Sequence, residues 1–159
     1  SVFSENASAI TGMSFEQNDG IRIIAFLSPA GGTGCSTAAA AYSINLARKN
    51  KKVLYLNLEK FGSADKFFYA EGNGNFGDVI YAVKSRKANL AIKLESTVKQ
   101  DITGVYFYSA TNLALDMLEF TSQEIINLIS DVKLFGGYDY VVLDMDFGVD
   151  TGTLEIMKE

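Results

Sequence analysis

The sequence IRIIAFLSPAGGTGCST, residues 21–37, joins a run of strand-forming residues to a glycine-rich loop. The loop opens directly into STAAAAYSINLARKN, residues 36–50, whose alanines and unbranched side chains favour a helix. The continuous apolar character of residues 21–27 is typical of a strand covered on both faces in a parallel sheet. This stretch therefore predicts a strand–loop–helix unit of an α/β domain.

The loop has the layout of a phosphate-binding loop, G-x-x-x-x-G-K-[ST]. In that pattern glycines let backbone N–H groups curl around phosphates, a lysine reaches the terminal phosphates, and a hydroxyl serves magnesium. Here the hydroxyl position is Ser36, the lysine position is Cys35, and the first glycine position is Pro29. An ordinary tight turn, which also needs glycines, is the alternative interpretation. The residues expected to contact a nucleotide are Ala30, Gly31, Gly32, Thr33, Gly34, Cys35, Ser36 and Thr37.

The composition indicates one globular domain and excludes several kinds of site. The chain has 159 residues, 48% of them hydrophobic, with one cysteine and no histidine. It therefore lacks the usual zinc ligands, an internal disulfide, and any Ser-His-Asp or Cys-His catalytic system. No apolar run approaches the ~18 residues of a membrane span, and we expect a cytoplasmic protein. The net charge of −5 disfavours nucleic acid as a partner, because sequence-blind binding needs surplus Lys and Arg.

Strands and helices alternate along the chain. Residues 1–20 are rich in serine, asparagine and glycine without sustained periodicity, and we expect a linker there. The expected strands are 21–27, 52–58, 104–109 and 138–143, and the expected helices are 36–49, two within 72–98, and 122–134 with Ser122 as N-cap. This alternation predicts a doubly wound, mostly parallel α/β sheet, whose ligands bind at the carboxyl ends of the strands.

A second acidic motif follows the last of these strands. YDYVVLDMDFG, residues 138–148, is an apolar strand that runs into carboxylates. Such a strand presents an acid to the magnesium bound at a phosphate loop, and Asp144 is the expected acid. Ser36 and Asp144 would then hold Mg²⁺ through hard oxygen donors. A strand-end aspartate that caps a turn is the alternative.

These motifs resemble those of the ParA/MinD group of P-loop ATPases, in order and spacing, over residues 21–150. AGGTGCST matches the group's K-G-G-x-G-K-[ST] in its glycines and hydroxyl, with Ala30 and Cys35 at the two lysine positions. VLYLNLEKFGS is similar to V-L-L-I-D-x-D, with Asn57 and Glu59 at the aspartate positions. DMDFG resembles D-x-P-x-G, with Asp146 at the proline position.

The resemblance implies a nucleotide-dependent switch with ATP and Mg²⁺ as ligands. Glu59 would lie near the attacking water, and Asp144 would be the second catalytic residue. In that group, one lysine stabilises charge on the transferring phosphoryl group and the other reaches the partner's nucleotide across a homodimer. Both lysines are missing here. We therefore expect an atypical P-loop ATPase with weak or absent hydrolysis.

Within the group, the double loss of lysine is most similar to the CpaE/TadZ branch, which places tight-adherence (Flp) pilus and secretion machinery at a cell pole. Residues 67–96 strengthen this resemblance. It implies a localisation factor whose partners are pilus or secretion assembly proteins, with any membrane association peripheral and through those partners. Residues 1–20 would be a linker from a missing receiver-like domain, and residues 21–159 the N-terminal part of a truncated ATPase domain.

Three other functions agree with parts of the sequence. A scaffold that has lost its nucleotide would keep the fold without the ligand. A plasmid or chromosome partitioning ATPase is disfavoured by the charge balance and the missing lysines. A Rossmann dehydrogenase is suggested by Gly32, Gly34 and Glu59, which imitate G-x-G-x-x-G and its acid, but Thr37 occupies the third glycine position.

Overall fold

The computed structural model describes residues 11–16, 21–28, 35–58, 64–72, 74–85, 90–109 and 121–146. Strands and helices alternate through most of these residues, as the sequence predicts. In chain order the elements are β1 Thr11–Glu16, β2 Arg22–Ser28, α1 Cys35–Arg48, β3 Val53–Asn57, the 3-10 helix Ala64–Lys66, α2 Phe76–Ser85, α3 Leu90–Thr97, β4 Lys99–Gln100, β5 Tyr106–Phe107, α4 Ser122–Phe135 and β6 Tyr140–Asp146.

The six strands form one sheet in the order β1-β2-β6-β3-β5-β4. The central pairs β2–β6, β6–β3 and β3–β5 are parallel, and the edge pairs β1–β2 and β4–β5 are antiparallel. β6 comes late in the chain and lies between β2 and β3, so the chain crosses back to the middle of the sheet. The predicted doubly wound, mostly parallel α/β fold is confirmed.

Each face of the sheet buries its own core, because successive side chains of a strand point to opposite faces. Leu54 and Leu56 of β3 join the core built with α2, α3 and α4. Val53 and Tyr55 join the other core, which contains Ala39 of α1 and the aromatic residues around the 3-10 helix. Both faces of the central strands are therefore covered, which accounts for their unbroken apolar sequence.

Several details differ from the sequence-based expectation. Residues 11–16, within the expected linker, form β1 along the side of β2. The two-residue strand β4 was not predicted either. The strand that carries Asp144 continues through Asp146 instead of ending at Leu143. The linkage of residues 1–20 to a preceding domain remains a prediction.

The cap of α4 also differs from the expectation. Thr121, not Ser122, is the N-cap, and its backbone has the extended conformation that a cap requires, with φ −77 and ψ 162. Glu124 completes a capping box with it. Ser122 was the wrong choice because both residues are hydroxyl-bearing, and only the backbone decides which of them precedes the first helical residue.

Candidate functional site

Three strand ends meet at the carboxyl edge of the sheet. In the pairing of β6 with its neighbours, Asp144 lies opposite Phe26 of β2 and opposite Asn57 of β3. Leu58, directly after β3, donates its backbone N–H to the backbone oxygen of Asp144 at 2.8 Å. Asp144 is therefore placed between the ends of β2 and β3, where ligands of parallel α/β sheets bind.

The carboxylate of Asp144 is fully buried and hydrogen-bonded by a tyrosine. Its exposed fraction is 0%. Tyr55 donates its phenolic hydroxyl to Oδ2 of Asp144 at 2.6 Å. Asn57 donates a longer bond of 3.4 Å from Nδ2 to the same phenolic oxygen. The three side chains form a polar group inside the core that faces α1.

The ring of Tyr55 is held by other aromatic rings. Its centroid lies 6.5 Å from that of Phe67 and 5.2 Å from that of Phe68, both in edge-to-face arrangements. The ring of Phe68 in turn lies 5.8 Å from that of Phe107 on β5. Because the ring cannot swing away from this cluster, the phenolic hydroxyl is fixed beside Asp144.

Helix α1 begins at Cys35 and packs against β2, β3 and β6. Ala39 and Ala40 are buried at that contact, and their small side chains let the helix approach the sheet closely. Ser36 is half-buried and Thr37 exposed in the first turn, which contains no acidic residue. Backbone N–H groups at such a helix start favour an anion.

The predicted site is therefore described in part. Ser36, Thr37 and Asp144 belong to elements that meet on one face of the sheet. For Cys35 and Asp146 the backbone is described and the side chain is not. Five predicted contacts and one predicted catalytic residue lie outside the described residues: Ala30, Gly31, Gly32, Thr33, Gly34 and Glu59.

The described donors suit magnesium better than a transition metal. Mg²⁺ keeps several waters and takes one or two protein oxygens together with substrate phosphates, and Ser36 and Asp144 offer a hydroxyl and a carboxylate. Among the described residues there is no group of three or more His, Cys, Asp or Glu side chains that could hold a metal ion. A metal here would thus depend on phosphate oxygens for part of its coordination.

A cavity of about 340 Å³ lies elsewhere, near the amino ends of β3 and β6. Lys52 forms one wall, with Nζ 5.4 Å and 4.9 Å from the ring centroids of Tyr106 and Tyr138. The same Nζ donates to the backbone oxygen of Gly136 at 3.0 Å. These contacts join the end of α4 to the starts of β3 and β6, at the opposite end of β6 from Asp144.

Tyr55 was not predicted as a site residue. The signal for it was a single aromatic residue in the otherwise aliphatic VLYLN run, two positions before Asn57. Its contact with Asp144 depends on β6 lying beside β3, and that neighbour relation is a property of the fold.

Solved structures that share this fold include ParA/MinD-type ATPases. The chain is 18% identical to a ParA family ATPase from Chlorobium tepidum, with a TM-score of 0.63, over 87% of this chain and 55% of that one. It is 22% identical to the septum site-determining protein MinD from Pyrococcus horikoshii, complexed with Mg-ADP, with a TM-score of 0.63 over 86% and 54%. A plasmid partition protein from Borrelia burgdorferi is 24% identical, with a TM-score of 0.57 over 79% and 55%.

No protein-family model and no curated protein sequence matches the chain. At these identities the structural matches show a shared fold, that of ParA/MinD-type P-loop NTPases. The chain spans about half the length of the solved structures it matches. Within the described ranges, no helix is both long and apolar enough to cross a membrane.

Proposed function

We propose that the chain binds ATP with Mg²⁺ at residues 30–37 and acts as a nucleotide-dependent switch. The observation that carries the proposal is the fully buried Asp144 between the ends of β2 and β3, on the side of the sheet covered by α1. In this arrangement Ser36 and Asp144 would hold the metal and the backbone of the loop would hold the phosphates. The MinD structure with Mg-ADP, which shares the fold, supports this choice of ligands.

The switch hydrolyses ATP slowly or not at all in this proposal. Ala30 and Cys35 stand at the positions of two lysines, one that would stabilise the charge of the transferring phosphoryl group and one that would reach the partner's nucleotide. Loss of one such donor typically costs about 10²–10³ in kcat. Glu59 is proposed to orient the attacking water, so residual turnover would depend on it.

The biological role that we propose is localisation of tight-adherence pilus or secretion machinery, by a homodimer at a cell pole. The double loss of lysine, with the resemblance of residues 67–96 to the CpaE/TadZ branch, supports this role over plasmid partition. The net charge of −5 supports it as well, because non-specific DNA binding requires a basic surface.

The test is the melting temperature of the whole protein with ATP, in EDTA and in Mg²⁺. A ligand at one hundred times its Kd stabilises the native state by about 2.7 kcal/mol. We expect a magnesium-dependent rise in melting temperature that Asp144→Asn removes. Glu71→Gln, at an exposed carboxylate, is the matched control and should keep the rise. A wild-type protein that ATP does not stabilise would be a scaffold without nucleotide.

A further inference from the structure

Tyr55 on β3 contacts Asp144 on the neighbouring strand β6. The β3–β6 register sets Tyr55 opposite Val142 and Asn57 opposite Asp144, so Tyr55 and Asp144 are diagonal neighbours on one face. Neighbouring strands lie about 4.8 Å apart and two residues advance about 6.6 Å along a strand, so these two backbones are roughly 8 Å apart, a span that an aromatic side chain bridges. The 2.6 Å bond from Oη to Oδ2 is the result. A shorter apolar side chain at position 55 would not reach the carboxylate.

The bond orients the carboxylate. A carboxylate on a single Cβ–Cγ bond can rotate, and a donor fixed on one oxygen removes that freedom. The donor is itself fixed, because Tyr55 has an exposed fraction of 0% and packs against Phe67 and Phe68. Since Oδ2 already accepts the phenolic hydrogen, a metal at this site would be held by Oδ1.

Asn57 supports the direction of this bond. Its Nδ2 donates to the phenolic oxygen at 3.4 Å, so the phenolic proton is left for Asp144. An amide can donate in this way, whereas an ionised carboxylate at the same position would accept only and would compete for the proton. Tyr55 and Asn57 therefore act together on Asp144.

We propose that Tyr55 is a positioning residue for the magnesium site, acting through Asp144. This inference rests on the proposed function, since it assumes that Asp144 serves a metal. Hydrogen-bond partners of metal ligands fix ligand orientation, and their loss typically costs about 10–100-fold in metal affinity. Tyr55 would thus set how strongly Mg²⁺ tightens nucleotide binding while contributing little to the binding of metal-free nucleotide.

The test is the ratio of ADP dissociation constants in EDTA and in saturating Mg²⁺, measured by calorimetry on the whole protein. Tyr55→Phe keeps the ring and removes the hydroxyl, and we expect the ratio to fall about tenfold or more. Asn57→Ala, which removes the supporting donor, should lower the ratio by a smaller factor. Tyr138→Phe is the matched control, because Tyr138 is also buried but precedes β6, on the order of 20 Å from Asp144 at about 3.3 Å per residue.

The double variant Tyr55→Phe/Asp144→Asn tests whether Tyr55 affects magnesium binding through Asp144. Its ratio should equal that of Asp144→Asn alone, because the phenol would have no metal ligand left to orient. A purely structural tyrosine would lower the melting temperature and leave the ratio unchanged, and that result would overturn the inference. Wild-type protein that binds ADP equally with and without Mg²⁺, or not at all, would instead overturn the proposed function on which the inference depends.

Discussion

Cys35 is the first residue of α1, so its backbone lies where the helix dipole concentrates positive potential. Cys35→Lys would add a full positive charge at the position where P-loops carry their lysine. We expect ATP to bind about tenfold more tightly, because charge-assisted hydrogen bonds contribute about 1.5–3 kcal/mol. Cys35→Met, of similar length and uncharged, is the control. Equal ATP dissociation constants for the two variants, measured by calorimetry, would show that residue 35 does not face the phosphates.

Asp101 illustrates how one carboxylate joins distant segments. Its Oδ1 accepts the backbone N–H of Tyr69 at 2.7 Å, and its Oδ2 accepts from the backbone and the hydroxyl of Thr103 at 2.9 and 2.7 Å. Burial acts to raise the pKa of Asp101, but these bonds and one from the Ile102 backbone outweigh it and hold the pKa below its ordinary value of 3.8. The segment after the 3-10 helix is thereby tied to the turn between β4 and β5.

Asp101→Asn should therefore destabilise the protein in a pH-dependent manner. Because the folded pKa is depressed, the stabilisation is present above the unfolded pKa and is lost as pH falls through the folded value. At pH 7 we expect a loss of about 1 kcal/mol, because the amide replaces charge-assisted hydrogen bonds by weaker neutral ones. Urea unfolding measured at several pH values should show the gap to wild type narrowing below the ordinary value of 3.8. A gap independent of pH would contradict this account.

Among the elements, β2 and α1 follow most directly from the sequence. A buried apolar run, a glycine loop and an alanine-rich segment predict strand 21–27 and helix 36–49, and the structure has Arg22–Ser28 and Cys35–Arg48. The edge strands β1 and β4 were not predictable in this way. They are short or polar. They are strands because their backbones pair with a neighbouring strand, and no local sequence pattern indicates that pairing.

The residues of the candidate site likewise differ in whether a local sequence pattern marks them. Ser36 and Asp144 are marked by motifs whose spacing is local, so the sequence predicts them. The bond from Tyr55 to Asp144 requires that β6 insert beside β3, and the two strands are distant in the chain. An order of strands is decided by the packing of the whole sheet, which explains why this contact could not be read from either segment alone.

Helix α4 offers a direct comparison of two adjacent hydroxyl residues. Thr121 accepts the backbone N–H of Glu124 at 3.3 Å, and Glu124 accepts the N–H of Thr121 at 3.2 Å. Thr121→Ala should lower the free energy of unfolding by about 1 kcal/mol, because a helix N–H loses its acceptor. Ser122→Ala, one residue after the N-cap, should lower it by less than Thr121→Ala does, because Thr121 supplies the cap oxygen. Chemical denaturation of both variants measures the two losses. A larger loss for Ser122→Ala would contradict the assignment of Thr121 as N-cap.

At the scale of the molecule, backbone amides in the middle of the sheet should be the most protected from hydrogen exchange. β6 is bonded to a strand on each side and is buried on both faces, with Val141, Val142 and Leu143 fully buried. Its amides should exchange with solvent only through global unfolding, whereas those of β4 should exchange through local opening. Native-state hydrogen exchange under increasing denaturant checks this, and amides of β4 that are as slow as those of β6 would contradict it.

The placement of β1 limits how the sheet can be extended. Among the described strands, β2, β6, β3 and β5 have neighbours on both sides, so only the outer edges of β1 and β4 have backbone groups facing away from the sheet. Strand β4 contributes two residues and β1 contributes six. An added strand, from this chain or from another molecule, would therefore find its longer template at β1. Since β1 runs against the central strands, a guest that paired antiparallel to it would restore their common direction.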